Sequence, residues 1–570
     1  MTVAAGIRAG LRQAIHDAAL RVQAAGDLPA VAVPTFEVEP PRHRSHGDLA
    51  TNAAMVLAQP ARANPRKIAE VLVRHLALPA DRVTRTEIAG PGFINFFIAP
   101  DWFHASMQEV IRAGGAYGQC DVGRGRRVLV EFVSANPTGP LHVGTGRNAA
   151  VGEAVARLLE KLDYAVSREY YVNDCGTQVD ALGRSVEWHY FQHFGRPLPF
   201  PEDGYRGQYV ADIAARIVAG DGPRWVEAPA EARQAHFQDF AVRAILEDIQ
   251  GTLRDFGVPF DRWFGERTLH ESGKVAEVIA RLRDLGHVYD QDRAVWFRST
   301  AFGDDKDRVL VRSTGQPTYF AADVPYHVDK FERGFDHLID VWGVDHQGDI
   351  ARVKGGLQAL GYDSSRLEIL IHQHVRLREG GEIVRMSKRT GEFVTLRELL
   401  EAVGRDAARY FFLMTHYANP MDFDLDLAVR SSQENPVYYV QYAHARIASI
   451  LREAAGHPVG QQLVREGRID QARVAAVGLS ALTHEAELAL MARVDDLPEV
   501  ILKAGLRREP HRVCTYAQDL AEAFHVFYTQ CRVLGEDAGL TAARLVLLEA
   551  ARTALRVALG LAGVAAPERM

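Results

Sequence analysis

The sequence predicts a multidomain protein in which an α/β domain with a parallel sheet lies between a small α+β domain and an all-α bundle. Its 570 residues suffice for several domains by the usual ~150-residue prior. A strand–turn–helix–strand pattern at residues 126–172 begins the α/β domain. Residues 436–570 show helical spacing of apolar residues and few strand signals, which is typical of a helical bundle.

The composition indicates an ordinary globular protein without a membrane segment. Hydrophobic residues make up 47% and charged residues 24% of the chain, and no apolar run approaches the ~18 residues that span a bilayer. The N-terminus lacks a secretory signal, so we expect a cytoplasmic protein that does not bind membranes. The net charge of −7 (66 basic and 73 acidic residues) provides no overall basic field, so a structured RNA would need local basic patches.

The four cysteines are scattered along the chain, and none forms a C-x-x-C pair. They are Cys120, Cys175, Cys514 and Cys531. Their spacing predicts neither a zinc site nor a disulfide framework, and we expect no structural metal.

The first unit of the α/β domain carries a glycine-bearing turn. Residues 128–133 form a short β-branched apolar run typical of a buried parallel strand, and residues 165–172 return to strand character. Apolar residues at helical spacing predict a helix that begins near residue 145. Such a unit opens a Rossmann-type nucleotide-binding sheet, whose helix N-terminus offers free amides and a positive dipole end to a phosphate. Gly144 would let a ligand approach the backbone, and His142 would add a donor.

Taken alone, a His-x-Gly turn also fits an ordinary strand-to-helix turn with a surface histidine. A second stretch, Val-Arg-Met-Ser-Lys-Arg-Thr-Gly at residues 384–391, reads as a cationic loop in which Lys388 would neutralise charge as pyrophosphate leaves. Together the two stretches resemble the paired motifs of class I aminoacyl-tRNA synthetases, whose family patterns are His-Ile-Gly-His and Lys-Met-Ser-Lys-Ser.

The N-terminal region indicates which family of class I synthetases the sequence resembles. Residues 1–110 read as a small α+β domain with an amphipathic first helix, a strand at 34–38 and a helix at 66–76. Segments 46–52 and 90–95 resemble the N-terminal domain of arginyl-tRNA synthetases, which in that family contacts the D-loop corner of the tRNA. The chain resembles bacterial arginyl-tRNA synthetases over essentially its whole length.

The resemblance implies a division into five regions. They are an appended tRNA-binding domain at 1–110, a class I catalytic domain of Rossmann type at 120–180 and 309–390, a connective insertion at 182–305, a linker that contacts the tRNA stem at 391–435, and an all-α anticodon-binding domain at 436–570. The insertion is expected to be largely helical and to interrupt the catalytic sheet. A few exposed aromatic residues of the last domain would stack on anticodon bases.

A pair of side chains in the second half of the α/β domain suits a guanidinium. Tyr319 and Asp323 are four residues apart, so they share one face of a helix or of a first helical turn. A carboxylate matches the planar fork of a guanidinium, and the tyrosine adds an aromatic wall. A helix-start aspartate beside a core tyrosine is the open alternative. The resemblance assigns arginine binding to these two residues together with Ser134, Asn136 and either His346 or Gln347.

The resemblance implies a ligase reaction in two steps. The carboxylate of L-arginine attacks the α-phosphate of ATP to give arginyl-adenylate and pyrophosphate, and the terminal ribose of tRNA(Arg) then takes the arginyl group. Magnesium is expected with ATP, no covalent enzyme intermediate is needed, and we expect a monomer. The implied catalytic residues are His142, Thr145 and Lys388, and the implied ATP-binding residues are His142, Gly144, Thr145, Arg147, Met386, Ser387 and Lys388.

Three positions depart from the family patterns beyond the replacement of isoleucine by Val143. Arg385 and Arg389 keep or add positive charge, whereas Thr145 replaces the second histidine and cannot carry a charge. Losing one transition-state donor typically costs about 10²–10³ in rate. We therefore hypothesise that activity is reduced or that Arg147 compensates. Two alternatives stay open: a catalytically weakened paralogue that binds tRNA, and a class I synthetase for another amino acid.

Overall fold

The computed structural model describes residues 3–41, 46–78, 82–384 and 394–570. The predicted nucleotide contacts Met386, Ser387 and Lys388 lie outside these ranges. Among the helices within them, none combines the length and the apolar character that a membrane span requires.

The N-terminal region folds into a four-stranded antiparallel sheet with helices. Its elements are α1 (Val3–Ala24), β1 (Val38–Glu39), β2 (Leu49–Thr51), α2 (Ala53–Ala61), α3 (Pro65–His75), β3 (Val83–Ala89) and β4 (Phe93–Ile98). The strands lie in the order β1-β2-β4-β3. Helix α3 begins where the sequence predicts, because the Asn64 side chain accepts hydrogen bonds from the first-turn amides and Pro65 takes the first helical position.

The strand predicted at residues 34–38 is shorter in the structure and covers Val38–Glu39. The side chain of Thr51 donates to the carbonyl of Glu37, and the amide of Glu37 donates to the side chain of Asn52. Both backbone groups of Glu37 are therefore satisfied by side chains, and the strand pairing begins one residue later.

The central domain is organised around a five-stranded parallel sheet. The chain runs through α4 (Pro100–Ala113), β5 (Arg127–Glu131), α5 (Val143–Lys161), β6 (Ala165–Val172), α6 (Thr177–His193), α7 (Gln208–Asp221), α8 (Ala230–Asp255), β7 (Arg262–Gly265), α9 (Arg267–Glu271), α10 (Lys274–Asp284), β8 (Val288–Gln291), β9 (Ala294–Phe297), β10 (Arg308–Val311), α11 (Tyr319–Glu332), β11 (His337–Gly343), α12 (Ile350–Ala359) and β12 (Leu367–His372). The parallel sheet has the order β12-β11-β5-β6-β7. The strands predicted at residues 128–133 and 165–172 both lie in this sheet, as β5 and β6.

One strand of the central sheet comes from the region predicted as an insertion. Strand β7 pairs in parallel with β6, from Glu169 opposite Arg262 to Val172 opposite Gly265. Residues 182–305 therefore do not lie wholly outside the sheet. A strand of four residues is too short to carry a clear periodic signal, which is why the sequence does not reveal it.

A smaller sheet joins the central domain to the rest of the chain. It contains β13 (Val375–Glu379), β14 (Glu382–Ile383) and β15 (Met421–Asp424), and the helices α13 (Leu396–Val403), α14 (Arg405–Met414) and α15 (Leu425–Ala428) belong to the same part of the chain. Strand β15 pairs in parallel with β13. The region predicted as a linker thus contributes a strand to the folded body that precedes it.

The C-terminal region is helical, as predicted. Its elements are α16 (Pro436–Ala454), α17 (Pro458–Leu463), β16 (Val464–Arg465), β17 (Arg468–Ile469), α18 (Gln471–Val474), α19 (Glu485–Arg507), α20 (His511–Gln530) and α21 (Ala538–Ala562). Helix α4 packs against α19 and α21, so the end of the predicted N-terminal domain belongs by its contacts to the bundle. All four cysteines are free thiols.

Ion pairs connect the first helix of the chain to the bundle. The guanidinium of Arg8 lies 2.7 Å from Asp496, and that of Arg12 lies 2.9 Å from Glu499. The Arg8 and Asp496 side chains are 4% and 10% exposed, so this pair is largely withdrawn from solvent. We call these contacts between α1 and α19 the domain clasp.

Helix α5 approaches strand β5 closely at Gly152. A Cβ atom added at this glycine would lie 2.2 Å from Cγ of Phe132, which is fully buried. The helix can therefore pack this closely only because Gly152 has no side chain.

We expect Gly152→Ala to destabilise the fold by about 1–3 kcal/mol, because one extra methyl overpacks this contact. Urea unfolding measures the change. Gly220→Ala is the matched control, since Gly220 is also helical but a Cβ there meets nothing within 4 Å. This control should gain about 0.5–1 kcal/mol from helix propensity. Equal stability of the two variants would show that the contact with Phe132 does not limit how closely α5 packs on the sheet.

Candidate active site

The candidate site lies at the carboxyl edge of the parallel sheet, between β5 and β11. The chain places β6 and β7 on one side of β5 and places β11 and β12 on the other. The connections that leave β5 and β11 therefore diverge and open a crevice. The buried side chain of Asn148 bridges this point. Its Oδ1 accepts from the amide of Val133 at 2.6 Å, and its Nδ2 donates to the carbonyl of Val341 at 2.8 Å.

His142 is the N-cap of α5. Its Nδ1 accepts a hydrogen bond from the amide of Thr145 at 3.3 Å. Because Nδ1 is the acceptor, the proton of the neutral ring lies on Nε2, and the residue is exposed. A ring donor thus lies beside the free amides of the first helical turn, which is an arrangement that suits a phosphate.

Gly144 and Thr145 have local roles in this turn. A Cβ added at Gly144 would lie 3.0 Å from Cε1 and 3.1 Å from Nδ1 of His142, so the glycine leaves room for the capping ring. Thr145 is 7% exposed and gives its amide to the cap. The threonine that stands in place of the family's second histidine is therefore largely buried in the first turn of α5.

The structure contradicts the predicted ATP contact of Arg147. This residue is fully buried, and its terminal nitrogens donate to the carbonyls of Gln373 at 3.0 Å, Asn419 at 2.8 Å and His416 at 3.1 Å. Burial lowers the pKa of Arg147 to about 10. Its donors hold together the backbone segments that follow β12 and α14, so Arg147 does not compensate for Thr145 by binding a phosphate.

No role is predicted from the sequence for His372, the last residue of β12, or for His374, which follows it. Burial lowers the pKa of His372 to about 4; the hydrogen bond to Gln373 opposes this shift, and the Arg147 guanidinium and the neighbouring rings of His142 and His374 reinforce it. The His372 ring is therefore neutral at pH 7 and lies in a positive field, which suits an anionic ligand. Their position directly after a buried parallel strand was the signal that could have identified them.

The chain that follows the second predicted motif lies against the first. Thr395 forms an antiparallel bridge with His142, and the amide of Leu396 donates to the carbonyl of Leu141 at 2.7 Å. The chain that precedes the motif is bonded through Val384 to Leu377. Thr395, shortly after the motif, thus contacts the capping histidine, while the role of Lys388 stays a prediction.

Tyr319 and Asp323 occupy the first turn and a half of α11, as their spacing predicts. Tyr319 is 50% exposed. Among the residues that the structure describes, no cation pairs with the Asp323 carboxylate. Burial raises the pKa of Asp323 to about 7; His327 opposes this shift, whereas the carboxylates of Asp349, Glu266 and Glu131 add to it. A partly buried carboxylate without a cation is an incomplete site for a positively charged ligand.

Ser134 and Asn136 leave β5 at the crevice. Ser134 Oγ donates to Glu131 Oε1 at 2.8 Å and accepts from the amide of Tyr171 at 3.1 Å. Asn136 is exposed, and its Nδ2 donates to Gln178 at 2.8 Å. Val133 and Ser134 have φ values of +70° and +41°, and a β-branched residue in the left-handed region is strained. The turn after β5 is therefore held in an unfavourable backbone conformation.

His346 and Gln347 lie in the 3₁₀ segment Val344–Asp349 after β11, and both are exposed. His346 Nδ1 lies 3.2 Å from Asp349 Oδ2. This hydrogen bond raises the pKa of His346, and the charges of Asp349, Asp323 and Asp345 add to the effect. The Gln347 amide makes no hydrogen bond with another described residue.

Glu266 is a further carboxylate near Asp323 that the sequence reasoning missed. It follows β7 directly and is 7% exposed. Burial and the nearby carboxylates of Glu266 and Asp323 raise the pKa of Tyr171, which places this ring close to both. The sequence assigned residue 266 to the insertion, so its position at a strand end was not recognised.

Two side-chain clusters in the described part of the chain bring possible metal ligands within 4.8 Å of one another. In the cluster of Glu131, His327 and Asp340, the ammonium of Lys330 lies 2.6 Å and 2.9 Å from the two carboxylates. It supplies the positive charge that a metal ion would otherwise bring to this cluster. The second cluster consists of Cys175, Glu266 and His270. Burial and then Glu266 raise the pKa of its thiol to about 12, so the thiol is protonated at neutral pH.

Family comparisons agree with this architecture. The family model described as arginyl tRNA synthetase N terminal domain matches residues 6–98. The model of the class I (R) tRNA synthetase catalytic domain matches residues 106–208, and that of the DALR anticodon binding domain matches residues 440–570.

Similar proteins span the full chain. The arginine–tRNA ligase of Desulforudis audaxviator is 50% identical over 99% of both chains, and that of Moorella thermoacetica is 48% identical over 98% of both. A solved structure described as a putative arginyl-tRNA synthetase from Campylobacter jejuni is 30% identical, with a TM-score of 0.74 over 82% of this chain and 99% of that one. The arginyl-tRNA synthetase of Thermus thermophilus shares the fold, with 24% identity and a TM-score of 0.75 over 99% of this chain and 100% of that one. On these grounds the chain belongs to the arginyl-tRNA synthetase family.

Proposed function

We propose that this protein is an arginine–tRNA ligase that forms arginyl-adenylate from arginine and ATP and transfers the arginyl group to tRNA(Arg). The observation that carries the proposal is the opposite polarity of the two ends of the crevice. One end has the amides of α5 and the positive field around His372, and the other has the unpaired carboxylate of Asp323. A substrate with an anionic and a cationic end is oriented by such a site.

The guanidinium of arginine would bind between Asp323 and Tyr319, with Glu266 as a second carboxylate. A fork of five donors needs several acceptors, and one carboxylate accepts only two parallel bonds. We favour Gln347 over His346 as the neighbouring polar contact. The raised pKa of His346 favours its cationic form, which would repel the guanidinium, whereas the Gln347 amide offers a neutral oxygen.

The triphosphate would bind at the N-terminus of α5, with His142 as a donor. Met386, Ser387 and Lys388 are assigned to the same nucleotide by their sequence pattern, and Lys388 would neutralise the leaving pyrophosphate. Magnesium would enter with ATP as part of the substrate. The hypothesis that Thr145 lowers the rate by removing one charged donor remains part of this proposal.

The tRNA would contact the first and the last domain. Helix α16 carries Tyr438 and Tyr442, whose rings stack with centroids 6.2 Å apart, and on the same helix Arg446 lies over the ring of Tyr528. Aromatic rings and guanidinium planes of this kind bind unstacked bases. We also propose that the protein acts as a monomer in the cytoplasm.

ATP–pyrophosphate exchange in the presence of bulk tRNA tests the proposed function across amino acids. We expect exchange with arginine and none with lysine, citrulline or glutamate, followed by charging of tRNA with arginine. Charging at a level far below that of other family members would favour the weakened paralogue. Exchange with a different amino acid would favour the other alternative and would refute the assignment of the pocket.

We expect Asp323→Asn to raise the KM for arginine by about thirtyfold or more, because truncating one partner of a buried charge pair costs about 2–5 kcal/mol. The KM for ATP should stay within twofold. Asp345→Asn is the matched control, since Asp345 is an exposed carboxylate in the neighbouring segment. Equal effects of the two substitutions would mean that Asp323 has no special role.

The KM for arginine should also depend on pH. The guanidinium binds the ionised carboxylate, and the pKa of Asp323 in the free protein is about 7. Binding therefore releases a proton below this pH, and the KM should rise by about tenfold per pH unit as the pH falls below 7. It should be flat above pH 8. The groups that face Asp323 are His327, Asp349, Glu266 and Glu131. The dependence should vanish in Asp323→Asn, and its persistence there would assign it to one of these neighbours.

His142→Asn separates the structural from the chemical role of the histidine. Asparagine is a strong N-cap, so the melting temperature should not change. The variant lacks the Nε2 donor, so the exchange rate should fall by about 10²–10³. His142→Ala serves as the comparison that loses both roles. A normal exchange rate in His142→Asn would show that the ring acts only as a cap.

A further inference from the structure

A line of buried charged side chains connects the two sides of the arginine pocket. Glu131 Oε1 accepts from Ser134, and Glu131 Oε2 lies 2.6 Å from Lys330 Nζ. The same Nζ lies 2.9 Å from Asp340 Oδ1, and Asp340 Oδ2 lies 2.7 Å from His327 Nε2. The line ends at Asp323, whose backbone carbonyl lies 2.7 Å from His327 Nδ1. We call Glu131, Lys330, Asp340 and His327 the charge line.

The hydrogen bonds fix the charge of the histidine in this line. The carbonyl of Asp323 and the carboxylate of Asp340 are both acceptors, so both ring nitrogens of His327 must donate. The ring is then an imidazolium. Burial disfavours charge on Asp340, but Lys330 and His327 together lower the pKa of this carboxyl. Burial raises the pKa of Glu131, and the charge and hydrogen bond of Lys330 oppose this shift. With all four groups ionised the line alternates in sign: Glu131 negative, Lys330 positive, Asp340 negative and His327 positive.

The charge line is more deeply buried than the pocket that it supports. Lys330 and Asp340 are 0% exposed and His327 is 2% exposed. Burying ions carries a desolvation cost that their attraction repays only in part, and well-packed apolar side chains at such places often give equal or greater stability. Stability alone therefore does not explain four charged groups here. What they provide is a fixed geometry between α11, β5 and β11.

We propose that Lys330, Asp340 and His327 are positioning residues for arginine recognition. They hold the Ser134 end of the β5 turn and the Asp323 turn of α11 at the separation that the substrate requires. The proposal rests on the proposed function of Asp323. Within the charge line His327 bonds the backbone carbonyl of Asp323 and not its carboxylate, so the carboxylate stays available for the substrate guanidinium. A protein cation beside the Asp323 carboxylate would neutralise it and occupy the place of the substrate guanidinium.

The first test is Asp340→Asn, which keeps the side-chain shape and removes the charge between Lys330 and His327. We expect the KM for arginine to rise at least tenfold, while the KM for ATP changes by less than twofold. Both constants come from ATP–pyrophosphate exchange with tRNA present, on the full chain. Direct titration of arginine by calorimetry should show the same loss of affinity.

Glu169→Gln is the matched control for general damage. Glu169 is 1% exposed and accepts from Tyr326 of α11 and from Arg333 just after this helix, but none of these hydrogen bonds involves Asp323 or Ser134. This variant should lose thermal stability without a change in the KM for arginine. If both variants raise the KM for arginine equally, or if Asp340→Asn raises both KM values equally, the positioning role is refuted.

A paired variant covers the case in which Asp340→Asn does not fold. Lys330→Met with Asp340→Leu removes one charge of each sign and fills the space with apolar groups, so it should remain folded. Its KM for arginine should still rise at least tenfold, and an unchanged value would overturn the proposal. Failure of the proposed function looks different, because the wild-type protein would then show no exchange with arginine at all.

Discussion

The divergence of the connections that follow β5 and β11 is the constraint on which the rest of the site depends. The two strands pair from Val128 opposite His337 to Glu131 opposite Asp340, where their ladder ends, and the chain then leaves toward opposite sides of the sheet. Beyond that point side chains connect the two walls of the crevice. Asn148 joins the segment after β5 to β11, and the charge line joins both strands to α11. The buried polar groups thus continue the connection where the ladder stops.

Electrostatics then divides the crevice into two ends with different tasks. At the end of β12 burial, reinforced by the nearby charge of Arg147, lowers the pKa of His372 to about 4 and keeps the ring neutral. At α11 burial, reinforced by the carboxylates of Asp349, Glu266 and Glu131, raises the pKa of Asp323 to about 7. Neither end is neutralised by a described side chain, which costs stability but leaves charge available for ligands. The orientation of a zwitterionic substrate with a cationic side chain follows from this separation.

The sequence predicts elements with a regular periodicity, but it does not predict contacts between residues that are far apart in the chain. Apolar runs located β5 and β6, and the spacing of Tyr319 and Asp323 placed both in the first turns of α11. Glu266 was missed because the four-residue strand before it has no periodicity to detect. The position of Arg147 beside the His142 motif suggested a contact with ATP. Its hydrogen-bond partners are instead backbone carbonyls more than two hundred residues away in the sequence. Long-range pairing of this kind has no local signature.

The domain clasp gives the molecule a property that no single domain has. Because α1 is bonded to α19, the first and last domains are in direct contact. They cannot separate without parting Arg8 from Asp496, a largely buried pair whose rupture is costly. The two end domains therefore keep a fixed relation to each other, and a ligand that touched both would meet them at one spacing.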